Sequence, residues 1–127
     1  MVTARGRDIG AAILAGAIAG LIAGLVLAVV MALLNVANGV DPWIGAKAAG
    51  APFIGARATA PGFDAAAVLL GVLTHFAVAA AWGAGFGLLF MGLSANATLA
   101  AGLAWGIVVW IVMYYIVLPL AGLASLA

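Results

Sequence analysis

The 127-residue chain has no cysteine, so disulfides, thiolate metal sites and cysteine nucleophiles are excluded. It has very little charge. Only 6% of residues are Asp, Glu, Lys or Arg, where a water-facing globular surface uses about 25%. The seven formal charges, Arg5, Arg7, Asp8, Asp41, Lys47, Arg57 and Asp64, all lie outside the three longest apolar runs. A charge at the centre of a bilayer costs several kcal/mol, and this segregation is the signature of membrane spans. No apolar run contains an Asp, Glu, Lys or Arg. That leaves no carboxylate pair, Schiff-base lysine or carboxylate proton relay, so the chain is not expected to be an enzyme. One histidine cannot assemble a metal site within one chain, and a net charge of +1 gives no case for nucleic acid.

What is present is apolar. Hydrophobic residues make up 69% of the chain and the mean hydropathy is +1.41. The central stretch, 63–93, is one long apolar helix holding His75. The expected architecture is an all-α integral membrane domain over 1–127. It has three transmembrane helices, at about 9–34, 65–91 and 97–118, and an amphiphilic connection over 36–63. The N-terminal apolar run is too long for the ~7–15 residue core of a cleaved signal peptide.

Small residues recur four apart. The first span carries Ala12, Gly16, Gly20, Gly24, Ala28 and Ala32. The second carries Ala67, Gly71, His75, Ala79, Gly83 and Gly87, and the third Thr98, Gly102 and Gly106 before the large Trp110 and Tyr114. In lipid this spacing lets backbones approach closely. The three helices are therefore expected to pack through glycine/alanine ladders, with the close contact of the third at its start. The second and third should form an antiparallel hairpin. The first ladder is the surface expected to remain for a neighbouring subunit, so Gly20→Leu should disrupt assembly.

In the connection, Asp41-Pro42-Trp43 reads as N-cap, N1 proline and interfacial aromatic opening a short helix to about Ala49. Trp43, Lys47, Phe53 and Arg57 suit an interfacial segment, with rings toward lipid and cations outward. Pro119 is expected to end the third span.

Counting rises from the helix ends puts His75, Thr74, Trp110, Tyr114, Tyr115 and Asn35 in the same half of the bundle. His75 with Trp110 and Tyr114 forms the candidate cofactor site, for axial ligation of haem or a chlorin, or for a quinone headgroup. The plainer alternative has no cofactor, with His75 bonding a hydroxyl or carbonyl across helices. A path lined by Asn35, His75 and Tyr114 in an oligomeric channel is a further reading.

The opening GAIAGLIAGLVLAVVMALLN, the proline-aromatic start of the connection, the central THFAVAAAWGAGFG and the closing YYIVLPLAGL together resemble small bacterial inner-membrane proteins of the YagU type. The resemblance implies an inner (cytoplasmic) membrane location and the helix count, and carries over no catalytic residue. With Arg5 and Arg7 nearest a membrane entry, the N-terminus is expected on the cytoplasmic side. The expected partners are membrane lipid and either further copies of the chain or other membrane subunits. The leading expectation is a structural or accessory subunit.

Overall fold

The computed structural model describes residues 4–122. Its helices are α1 (Ala4–Ala37), α2 (Pro42–Ala48), α3 (Ala51–Ile54), α4 (Ala65–Leu89), α5 (Ala95–Val112) and α6 (Leu118–Leu120). A 3-10 turn, Gly55–Ala58, follows α3, and a π turn, Met113–Val117, joins α5 to α6. No strand occurs among the described residues. Three helical stretches are long and apolar enough to cross a membrane: Asp8–Ala37, Ala65–Leu89 and Ala95–Leu120.

The ends of these helices follow from local chemistry. α1 runs past Leu34 because Asn35 stays helical; Asn38 Nδ2 donates to the Leu34 carbonyl at 2.7 Å, and Gly39 at φ +70° turns the chain out. Asp64 caps α4 by accepting from the Ala67 N–H at 3.2 Å, and Ser94 caps α5 by accepting from the Ala97 N–H at 3.3 Å. Pro119 does not stop the third long helix. The π turn lies just before it, where an α-helical path would drive the proline ring into the Tyr115 carbonyl. The helix ends instead near Gly122, at φ +77°. The rest of the apolar tail, 123–127, lies outside the described residues.

α1 and α4 run antiparallel at very close range. Ala12 faces Gly87, Gly16 faces Gly83, Gly20 faces Ala79 and Gly24 faces His75. A Cβ added to Gly83 would lie 2.7 Å from Gly20 Cα and closer still to the Gly16 carbonyl oxygen. Only glycine lets two backbones come this near. The face of α1 expected to await a neighbouring subunit is therefore taken up by α4 of the same chain, and the expectation for Gly20→Leu changes with it.

Toward the start of α4 the partner changes. Gly71 abuts the Ala46 carbonyl and lies against Lys47, where its Cβ would come within 2.9 Å of Lys47 Cα. Gly50 meets the Gly71 backbone, and Gly45 lies beside Asn35 of α1. The short helix α2 is thus wedged between the ends of α1 and α4.

The third long helix sits differently. Gly102 and Gly106, expected in close packing, are not: a Cβ on Gly102 would meet only the Phe86 ring at 3.9 Å, and one on Gly106 meets nothing within 4 Å. Aromatic rings hold α4 and α5 apart. Trp105 packs edge-on to Trp82 at 5.6 Å and to Phe90 at 5.8 Å between ring centroids, and its indole Nε1 donates to the Trp82 carbonyl at 3.2 Å. At the far end Leu118 and Ala121 pack on a small core of Ala51 and Ala58 in the connection.

Candidate functional site

The connection over 38–64 closes one end of the bundle and is tightly bonded. Asp41 Oδ1 accepts from the Trp43 N–H at 2.9 Å and Oδ2 accepts from the Gly62 N–H. Lys47 Nζ donates to the Gly62 carbonyl at 2.8 Å and to the Ala60 carbonyl. Arg57 holds Asp64 in a two-pronged ion pair, with Nε and Nη2 each 2.9 Å from a carboxylate oxygen. The N–H groups of Gly62 and Trp43 keep the Asp41 carboxyl below the ordinary aspartate value of 3.8. The Arg57 side chain, then the Ala67 N–H, does the same for Asp64.

One interfacial expectation needs correcting here. Lys47 does not turn its cation outward; only 1% of the residue is exposed. The α2 wedge lays it against Gly71, and the Ala60 and Gly62 carbonyls replace water around the ammonium. Trp43, Phe53 and Arg57 are exposed, with Trp43 packed edge-on to Phe63 at 4.8 Å.

Between the long helices lies a cavity of ≈ 590 Å³. α4 forms its floor, α1 one wall and α5 the other. Gly20 and Ala23 face it from α1, His75 and Trp82 from α4, and Gly106 and Trp110 from α5. It is partly open, and the aromatic spacers keep α5 away from the close α1–α4 pair.

His75 is the one titratable side chain on this cavity, and its Nε2 is already engaged: it lies 2.9 Å from the Gly24 carbonyl oxygen of α1. A carbonyl oxygen only accepts, so Nε2 carries the proton and donates. Axial ligation of an iron or magnesium through Nε2 would require breaking that bond and stripping that proton.

No protein-family model, curated protein or solved structure matches this chain. The functional reading therefore rests on the geometry of its own residues.

The structure brings together only part of the expected cluster. His75 and Trp110 share the cavity, whereas Tyr114 does not line it and stacks on Trp110 at 5.6 Å. The reason is the helical period. Residues four apart drift about 40° per step on a 3.6-residue helix, and the π turn from Met113 adds to the drift. On the third long helix the cavity is lined by the pairs Trp105–Gly106 and Val109–Trp110 and then by Met113, at the start of the π turn, in place of Tyr114. Thr74 donates to its own helix, at the Leu70 carbonyl, and Asn35 lies at the α2 contact. The aromatic cluster of Trp82, Phe86, Phe90 and Trp105 was the signal for a spaced third helix, since large rings facing glycines hold backbones apart.

Proposed function

We propose that this chain is a multi-pass protein of the bacterial inner membrane, of the YagU type, that acts as a structural or accessory subunit of a homo-oligomer or larger membrane complex and has no catalytic activity of its own. The observation that carries this reading is the employment of His75. His75, the one histidine of the chain, is spent on a cross-helix bond to the Gly24 carbonyl. It works as a bolt between α1 and α4, so the role left to the molecule is one of shape and contact.

In this reading the spans pack through their small residues: Gly16, Gly20 and Gly24 against Gly83 and Gly87, with Gly71 receiving the connection. The N-terminus with Arg5 and Arg7 lies on the cytoplasmic side. Lys47 and Arg57, on the other side, are engaged within the connection by backbone carbonyls and by Asp64, which supports giving Arg5 and Arg7 the deciding weight.

The test is extraction in mild detergent, followed by a native gel and identification of co-migrating proteins. The expected result is a defined assembly larger than one protomer. A lone protomer in several mild detergents and in lipid nanodiscs would refute the subunit role. Gly20→Leu is a poor probe of assembly, because its side chain would strike the Ala79 carbonyl of the same chain.

A further inference from the structure

The connection meets α4 well inside its end. α4 has 25 residues, which makes it about 36 Å long. A hydrocarbon core of ~30 Å centred on that helix begins about 3 Å inside each terminus. Gly71 stands six residues after Ala65, about 9 Å along the helix and so about 6 Å below the boundary. At this level α4 touches the connection directly. A Cβ on Gly71 would lie 2.9 Å from Lys47 Cα, and one on Gly50 would lie 3.1 Å from Gly71 N. Only a segment that descends beside α4 makes such contacts.

The chemistry of 42–54 suits that depth. Its single charged residue is Lys47. The side chain is buried and carries its ammonium from the Gly71 level to the Ala60 and Gly62 carbonyls, in the turn just before α4. A lysine makes that climb when its backbone lies in lipid and its head must leave it. On a segment resting among headgroups the same side chain would reach water. The exposed residues of 42–54 are Pro42, Trp43, Gly45, Pro52 and Phe53, and none is charged. The joint between α2 and α3 keeps its backbone bonded: the Gly50 N–H donates to the Lys47 carbonyl at 2.9 Å, and the Phe53 and Ile54 N–H groups donate to the Gly50 carbonyl at 2.9 and 3.1 Å. Backbone enters hydrocarbon only when it is bonded internally or buried in protein. The charged groups gather in one tier above, with Asp41 on the Gly62 N–H and Arg57 on Asp64.

We infer that residues 42–54 are a re-entrant element that dips into one leaflet. It is deepest around 47–50, sets Phe53 against acyl chains, and leaves Asp41, Arg57 and Asp64 at headgroup level. The connection is thus an insertion into the bilayer and not a strap across its surface. The inference rests on the membrane location proposed above and is independent of the subunit role.

The chain has no cysteine, so single-cysteine variants of the full chain can each carry one nitroxide. Electron paramagnetic resonance in phospholipid liposomes then reads depth as the ratio of collisions with oxygen, which concentrates in hydrocarbon, to collisions with a water-soluble nickel chelate. Leu69→Cys and Leu73→Cys, both 60% exposed on α4 and two residues either side of Gly71, form the ruler. Ala49→Cys should give a ratio between theirs, Phe53→Cys a lower one, and Thr59→Cys, exposed past the end of the element, the lowest of the five. Each of these variants replaces an exposed or half-buried side chain. An Ala49→Cys ratio equal to that of Thr59→Cys, with both leucine positions oxygen-rich, would lay the connection on the headgroups and overturn the inference. Water-like ratios at the leucine positions as well would refute the membrane location, and the inference with it. Failure of the subunit reading shows instead as a lone protomer on the native gel, whatever the depth readings.

Discussion

Gly83→Ala should be among the most damaging single-methyl additions to this protein. The new Cβ would lie 2.7 Å from Gly20 Cα, 2.8 Å from Gly20 N, and nearer still to the Gly16 carbonyl oxygen. Non-bonded carbons rest at about 3.5–4.0 Å, so α1 must retreat by about 1 Å along this seam. Neither obstacle is the end of a flexible side chain; both are backbone in the middle of a long helix. Overpacking of this kind costs about 1–3 kcal/mol. Alanine's better helix propensity returns up to about 1 kcal/mol. The retreat also stretches the His75–Gly24 bond from its 2.9 Å, forfeiting about 0.6 kcal/mol, the mean for interhelical polar contacts. With that full return taken, the net expectation is a loss of about 0.6–2.6 kcal/mol, or about 3–80-fold in the folded-to-unfolded ratio. Reversible unfolding in mixed micelles, followed by tryptophan fluorescence, measures it. Gly106→Ala is the matched control: it makes the same chemical change in open space and should be neutral or stabilising. If Gly83→Ala unfolds at the same midpoint as Gly106→Ala, or later, the account of α1–α4 packing is wrong.

Lys47→Met should free the connection, because the Ala60 and Gly62 carbonyls lose their donor; each unpaired group costs about 1–3 kcal/mol. Faster hydrogen exchange over 59–64 would show it, and unchanged exchange would contradict the buried-lysine pin. His75→Leu should weaken the α1–α4 pair by about 0.6–2 kcal/mol in the same micelle assay, without removing any visible absorption band. A haem or chlorin band in the wild type that vanishes in the variant would replace the bolt reading with a cofactor site. Asp41 and Asp64 are held below 3.8 in the folded chain, so the stability they contribute is complete above that value. It is lost as pH falls through their lower folded values. Exchange protection in the connection should therefore hold down to about pH 4 and collapse below it; loss of protection already near pH 6 would refute the assignment.

Much of the architecture was legible in the chain. Three long apolar helices follow from runs without charge, and their starts from Asp64 and Ser94 as caps. The four-residue recurrence of glycine pointed to close approach; Gly16, Gly20, Gly71, Gly83 and Gly87 lie against backbone, while Gly24 meets the side chains of Ala79 and His75. The same reasoning failed at Gly102 and Gly106, because a small residue permits contact without compelling it, and here the rings of Trp82, Phe86, Phe90 and Trp105 set the separation. Tyr114 was placed beside His75 by depth alone, but depth along a helix says nothing of rotation about it. Lys47 was assigned outward because an exposed cation is the rule; the carbonyls that bury it come from thirteen and fifteen residues on.

The sequence by itself determined that there are three helices long and apolar enough to cross a membrane, because that depends on composition and on period along one chain. Only the tertiary structure decided that α1's glycines serve α4, that His75 bonds Gly24, that Lys47 turns inward, and that a cavity stays open beside α5. Each depends on which face of one helix meets which face of another, and in apolar helices with small residues on several sides that choice is made by side-chain volume between elements distant in sequence.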